Sequence, residues 1–466
     1  MKKVVLILMT VMTVFSLFGQ DITGQWNGLL KVQGTQLRVV FNICKTDTGF
    51  SSTMDSPDQG AKGILTSLTS YKNDVLRIEI AASGIVYEGT LTQSNQINGE
   101  FRQGNYISPL LLTRDIQKKE KVARPQDPVE PYPYFSEEVK FENSKANVTL
   151  AGTLTLPQKE GKYPAVVLIT GSGAQNRDEE IMGHRPFLVL ADYLTRKGIA
   201  VLRYDDRGTA ESTGDFSKAT TKDLEKDVEA AVGYLLTRKE IDKKKIGLIG
   251  HSEGGIIAPM VAAQYKDIRY IVLMAGCGIQ GHQLLLLQGE LIGRKMGQTE
   301  DQLDRTRRIN EGAYDIVMNA SDTATMRKDL TAYLLQSLKD LPISEKPVGV
   351  SDEAFVSQQL NGLTCPWFQY FLKYDPAPIL RKIKCSVLAL NGSKDLQVPP
   401  RENLTAIKSN LELGGNHKVT VREYPDLNHL FQTCITGLPA EYGEIQQTIS
   451  PQVLNEISDW ILRQTE

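Results

Sequence analysis

Cysteine and histidine are scarce: each occurs five times in 466 residues. The cysteines (Cys44, Cys277, Cys365, Cys385, Cys434) are odd in number and far apart, which excludes a disulfide-scaffolded domain and leaves room for one bridge. Cys277 follows an expected strand and Cys385 precedes one, so both are expected as buried thiols. There is no zinc-spaced Cys/His cluster, no Walker motif and no calcium loop, so no cofactor or metal is expected. An excess of one charge is also missing. Fifty-three Lys and Arg stand against 55 Asp and Glu, a net charge of -2, which gives no reason to expect nucleic acid or an anionic membrane as partner. Long apolar runs are absent except at the start, where Lys2 and Lys3 precede Val4 to Phe18 and Gly19-Gln20-Asp21 ends the run. That run is too short to be a preferred membrane span. Residues 1–20 read instead as a secretory signal peptide, so the chain is expected to be exported, periplasmic or extracellular, and not stably inserted in a membrane after cleavage. An uncleaved anchor is the alternative. No feature specifies an oligomeric state.

What remains is 41% hydrophobic and 23% charged, ordinary for a globular protein and long enough for more than one domain. From 21 to 113 the pattern is short alternating runs, such as "LRVVFNI" and "IVYEGTLTQ", separated by polar turns. This predicts a small antiparallel β domain, a barrel or sandwich. "ITGQWNG" resembles the opening of a lipocalin-like strand, with Trp26 either plugging one end or simply packing. Residues 114–134 are charged and then proline-rich, "KKEKVARPQDPVEPYPY", a stiff linker. After two antiparallel edge strands ("VKFEN", "VTLAGTLTLP") a βαβ rhythm begins. "PAVVLITG", "GIAVLRYDDRG", "KIGLIG", "IRYIVLMAG" and "CSVLALNG" are nearly continuous apolar strands. "TKDLEKDVEAAVGYLL" (221–236) is an amphipathic helix. The predicted fold class is therefore α/β, a mostly parallel sheet with helices on both faces, built from 135–277 and 380–466. Residues 278–379 interrupt the rhythm and are predicted to be a mostly helical cap.

The sequence "GLIGHSEGGIIAPM" is the chemically informative stretch. G-x-S-x-G alone should occur by chance roughly 0.2 times in such a chain, but here it lies between a buried strand and an apolar helix, the setting of a strained nucleophile turn. Gly250 and Gly254 flank Ser252 where side chains would clash. A serine nucleophile needs a base and an orienting acid. Among the histidines, His429 in "YPDLNHLF" follows a strand and can reach the strand ends, whereas His251 should point away from the site. Asp395 in "NGSKDLQVPP" follows the strand before it, with Asp426 as the rival acid. The order Ser252, Asp395, His429 suits this fold class. The oxyanion donors are expected to be the backbone N–H of Glu253 and that of Ser172 or Gly173. "QNRDEE" (175–180) either contributes Asp178, Glu179 and Glu180 to a substrate pocket or forms a salt-bridged turn. Asp205, Asp206 and Arg207 are expected as buried support. Trp367 and Phe368 line a pocket or fill the cap core.

"LITGSGAQNRDEE", "YDDRGTAESTGDF", "IGHSEGG", "NGSKDLQVP" and "NHLF" together resemble the α/β-hydrolase superfamily over about Phe141 to Thr465. They are most similar to bacterial esterases related to the serine aminopeptidase (prolyl-aminopeptidase-like) group. The resemblance implies the α/β-hydrolase fold with Ser252, His429 and Asp395 as nucleophile, base and orienter, the Gly-rich oxyanion loop at Gly171 to Gly173, and a small-molecule ester substrate. A serine carboxylesterase acting on short acyl esters through an acyl-enzyme is the first expectation. A serine aminopeptidase or other amide or thioester hydrolase is the second, and a non-catalytic binding protein the third.

Overall fold

The computed structural model describes residues 21–32, 35–59, 61–103, 106–116, 122–346 and 351–466. The expected signal peptide and part of the linker lie outside these residues. The chain divides near residue 120 into two compact units.

In the N-terminal unit, alternation of apolar and polar residues yields one antiparallel sheet of nine strands among the described residues: β1 (Gly24–Val32), β2 (Thr35–Thr46), β3 (Gly49–Ser56), β4 (Ala61–Leu65), β5 (Leu68–Lys72), β6 (Val75–Ile80), β7 (Ile85–Leu91), β8 (Ile97–Gln103) and β9 (Tyr106–Thr113). Their order is β4-β3-β2-β1-β9-β8-β7-β6-β5. The sheet curls so that the edge strand β5 approaches β3: the Ser52 and Thr69 hydroxyls lie 2.7 Å apart. Inward-facing Phe41, Ile78, Tyr87 and Leu112 form the core. Trp26 is fully buried, donates its indole N–H to Ile22 O, and carries the Arg114 guanidinium 3.8 Å over its ring. Arg114 also donates to Thr23 O and Asp21 O, tying the last strand's exit to the first strand's entry.

The C-terminal unit contains β10 (Phe135–Asn143), β11 (Val148–Leu156), β12 (Tyr163–Ile169), β13 (Ala200–Tyr204), β14 (Ile241–His251), β15 (Ile268–Met274), β16 (Ser386–Gly392) and β17 (Val419–Tyr424). They form one sheet ordered β10-β11-β13-β12-β14-β15-β16-β17. The first two strands pair antiparallel, β11 is antiparallel to β13, and every later pair is parallel. Strand side chains alternate between two apolar layers, as a sheet covered on both faces requires. Ala165, Val167 and Ile169 face α2 (Thr221–Thr237), α3 (Gly254–Ala262) and α10 (Pro400–Leu413). Val166 and Leu168 face α1 (Pro186–Arg196) and α11 (Pro451–Thr465). Helix α2 starts with a reciprocal Thr220–Asp223 capping box, which satisfies two of the amides a helix leaves unpaired at its start. Between β15 and β16 the chain leaves the sheet to build α4 (Gly281–Lys295), α5 (Glu300–Asn319), α6 (Thr323–Asp340), α7 (Asp352–Leu363), α8 (Pro366–Lys373) and α9 (Ala377–Leu380). These pack around their own core, which includes Val317, Leu330, Val356 and Leu372.

Two details differ from the sequence reading. The described part of the linker from Arg124 onward is fastened to the C-terminal unit: Arg124 donates to Met182 O, Gly443 O and Ile445 O, and Gln126 donates to Ile449 O. Polar side chains, not prolines alone, fix its course. All five cysteines are free; Cys277 is buried as expected, but Cys385 is only partly buried at the edge of the core. No helix of the described residues is long and apolar enough to cross a membrane.

Candidate active site

Four parallel strands deliver the site residues at their C-terminal ends: Gly171 to Gly173 after β12, Ser252 after β14, Asp395 after β16 and His429 after β17. Ser252 adopts φ 52°, a left-handed backbone that a residue with a side chain rarely takes. Its N–H donates to Met274 O at 2.9 Å. The glycines at either side have no alternative. A Cβ on Gly250 would lie 2.0 Å from Gly254 O, and one on Gly254 would lie 2.2 Å from Ile169 O. The turn is thus closely packed on both sides of the serine, and α3 starts immediately behind it.

His429 is 5% exposed. Its Nδ1 lies 2.7 Å from Asp395 Oδ2. Asp395 is buried, and its other oxygen accepts from the N–H groups of Gln397 and Val398 at 2.8 and 2.9 Å, so the carboxylate has one fixed orientation. Asn428 shapes the histidine loop by accepting from Leu430 N–H and Gln432 N–H. The rival Asp426 faces outward, in an ion pair with Lys394 at 2.8 Å and 64% exposed. The structure therefore brings Asp395, and not Asp426, to His429.

Glu253 follows the serine at the N-cap of α3, where backbone N–H groups have no intrahelical acceptor. Its side chain is buried and accepts from Thr221 Oγ1 at 2.6 Å and from Trp367 Nε1 at 2.8 Å. Burial pushes this carboxyl above its ordinary value, against the lowering effect of the two hydrogen bonds. Across the site, Gly171 is so close that its Cβ would meet Ser252 Cβ at 3.2 Å. Gly171 N–H is occupied by Glu179 Oε1 at 2.7 Å, whereas Ser172 and Gly173 are exposed and Gly173 has φ 95°.

Several expected pocket residues do other work. Asp178 is ion-paired with the buried Arg203, and Glu179, 3% exposed, contacts Gly171 and His251 Nδ1 at 2.9 Å. Glu179 is shut off by burial, and Asp178 is held by Arg203. The remaining acid of that loop, Glu180, is exposed and accepts from Asn176 Nδ2. Phe368 packs against Tyr314 in the cap core, while Trp367 reaches the serine turn through Glu253. His251, expected to point away, is buried beside the base: its Nε2 lies 3.0 Å from the His429 carbonyl oxygen. Neither this bridge nor the Trp367–Glu253 contact has a local sequence signature. Of the support residues, Asp205 binds Arg177, Arg207 binds Asp227, and Asp206 accepts from Thr170 Oγ1 and Gln175 N–H. Burial drives the Asp206 carboxyl well above its usual value. Among the described residues no group of three or more His, Cys, Asp or Glu is placed to hold a metal ion.

The eight-stranded sheet with its inserted helices and strand-end site defines an α/β-hydrolase. The family model of the X-Pro dipeptidyl-peptidase (S15 family) matches residues 146–412, more than half of the chain, and the chain belongs to that family. The match contains Ser252 and Asp395 and ends before His429. Esterase EstD of Thermotoga maritima is 26% identical over 336 residues, covering 71% of this chain and 70% of EstD. An uncharacterised 31.7 kDa protein of Escherichia coli is 23% identical over 276 residues, 57% of this chain and 84% of that one. The crystal structure of hypothetical protein PA2218 from Pseudomonas aeruginosa aligns over 75% of this chain and 100% of its own, with 16% identity and a TM-score of 0.44.

Proposed function

We propose that this chain is a serine carboxylesterase that hydrolyses short-chain acyl esters through an acyl-enzyme. The observation that carries the reading is Ser252 on a left-handed turn at the same sheet edge as a buried His429–Asp395 pair. In the proposed cycle His429 takes the Ser252 proton as Oγ attacks the ester carbon, and Asp395 holds the ring with Nδ1–H directed at its own oxygen. The N–H groups of Glu253 and of Ser172 or Gly173 receive the developing oxyanion. His429 then passes its proton to the leaving alcohol, and water attacks the acyl-enzyme by the reverse path.

The family name raises a second reading, release of X-Pro dipeptides from peptide N-termini. Recognition of a free α-amine needs an acidic acceptor. Of the three acids on the loop after β12, Asp178 and Glu179 are already committed to Arg203 and to His251 with Gly171, which leaves only the exposed Glu180. This favours the ester, as does the likeness to EstD. Export is proposed as well, from the leader-like start; the mass of the mature protein purified from its producing cells checks it.

Turnover of p-nitrophenyl esters from acetate to decanoate, beside X-Pro and single-residue p-nitroanilides, tests the assignment. Short esters are expected to dominate. S252A should lose on the order of 10⁴-fold or more in kcat with an unchanged circular dichroism spectrum. Near-wild-type turnover in S252A would remove Ser252 from the mechanism. Dominant anilide cleavage would make the chain a peptidase.

A further inference from the structure

Glu179 and His251 take no part in the cycle above, yet both are buried beside it. Glu179 Oε1 accepts from Gly171 N–H at 2.7 Å and lies 2.9 Å from His251 Nδ1. His251 Nε2 lies 3.0 Å from His429 O. Gly171 opens the loop that offers the Ser172 and Gly173 amides, His251 precedes Ser252, and His429 is the proposed base. Two side chains therefore join all three loops that must keep register for the reaction. Glu179 holds φ 51° to reach this place, a backbone region that persists in a non-glycine residue only where its surroundings enforce it. A void at the pair, lined among others by Phe187, Met274 and Phe431, is about 10 Å³, room for one water at most.

The partners also fix the protonation. A neutral imidazole has one donor and one acceptor nitrogen, but both nitrogens of His251 face oxygens. The His429 carbonyl can only accept, so Nε2 carries a proton. The proton shared between Nδ1 and Glu179 belongs on the ring, because an imidazole is more basic than a carboxylate and the same Oε1 already accepts the Gly171 amide. Burial works against a charged ring, but the Glu179 charge and hydrogen bond, the His429 carbonyl and the Asp395 charge together hold His251 above the usual imidazole value.

We propose that Glu179 and His251 form a charge-paired clamp, with His251 doubly protonated throughout the working pH range, that positions the oxyanion loop and the base relative to Ser252. The clamp rests on the serine-hydrolase reading for its purpose, though not for its protonation. Both are positioning residues. The His251 and His429 rings are 4.8 Å apart between centroids, so the clamp lies directly beside the base. The groups facing His251 are Glu179, Asp395 and His429.

Two measurements on the full chain test this. In ¹⁵N-histidine spectra, one of the five ring systems, identified by its loss in H251Q, should show two protonated nitrogens from pH 6 to 9. E179Q should lower kcat for p-nitrophenyl acetate on the order of 10²-fold, the size expected of misplaced reacting groups, with KM changed less than about threefold. A role confined to stability would lower Tm and leave kcat and the ring signature in place. If H251Q fails to fold, E179Q and the wild-type spectrum still decide, because the signature must change between them. A neutral single-tautomer ring at pH 7, or E179Q with wild-type kcat, overturns the clamp. Absence of ester turnover in the wild type would instead count against the proposed function, while the spectrum still judged the clamp.

Discussion

Asp395 and Asp426 differ by what surrounds them, not by what they are. Asp395 accepts two backbone N–H groups and His429, whereas Asp426 pairs with Lys394 in solvent. D395N should therefore lose on the order of 10⁴-fold in kcat, the effect of removing the acid that orients a catalytic histidine, while D426N should stay within about twofold. Steady-state kinetics on the same ester checks both. Glu253 makes a prediction of the opposite kind. Its folded-state value is raised by burial, so its contribution to stability is fully present below the unfolded value of about 4.5 and declines as pH rises through the folded one. E253Q, which keeps an acceptor for Trp367 and removes the charge, should match or exceed wild-type Tm at pH 8 and lose that advantage near pH 5. Its backbone N–H, the proposed oxyanion donor, is untouched. Thermal melts across that range decide the matter.

The strand–turn–helix element around Ser252 was legible because its constraint is local. Gly250 and Gly254 are separated from the serine by one residue each, and their missing side chains are what the turn needs. G254A should cost about 3 kcal/mol or more, as overpacking against backbone does at its worst, because Ile169 O would sit 2.2 Å from the new Cβ and β12 cannot yield. Denaturant titration measures this. The strands β12 to β16 were equally readable, as continuous apolar runs, and α2 was placed within one residue of its observed end. The Glu179 clamp was not readable. An acid in a loop after β12 and a histidine at the end of β14 choose each other through tertiary packing over 72 positions, and no periodicity records such a choice. The same holds for Trp367, which reaches Glu253 across 114 positions, and for Phe368 next to it, whose place in the cap core follows from the rotation of α8.

At the scale of the whole chain, the two units are built on different rules. The N-terminal one curls a single antiparallel sheet around its own apolar core, and the C-terminal one covers a mostly parallel sheet with helices. Within the latter, the cap enters between β15 and β16, after the proposed nucleophile and before both its partners. This placement sets an order of events during synthesis. The serine and its glycine turn leave the ribosome first, then the whole run of cap helices, and the acid and histidine come only in the last part of the chain. Until then the turn has neither base nor orienter, and β16 and β17 have not been added to the sheet edge beside β15. A ribosome stalled in the cap, or a chain truncated there, would release a serine turn without the means to act, so on this assignment hydrolysis waits on near-complete translation.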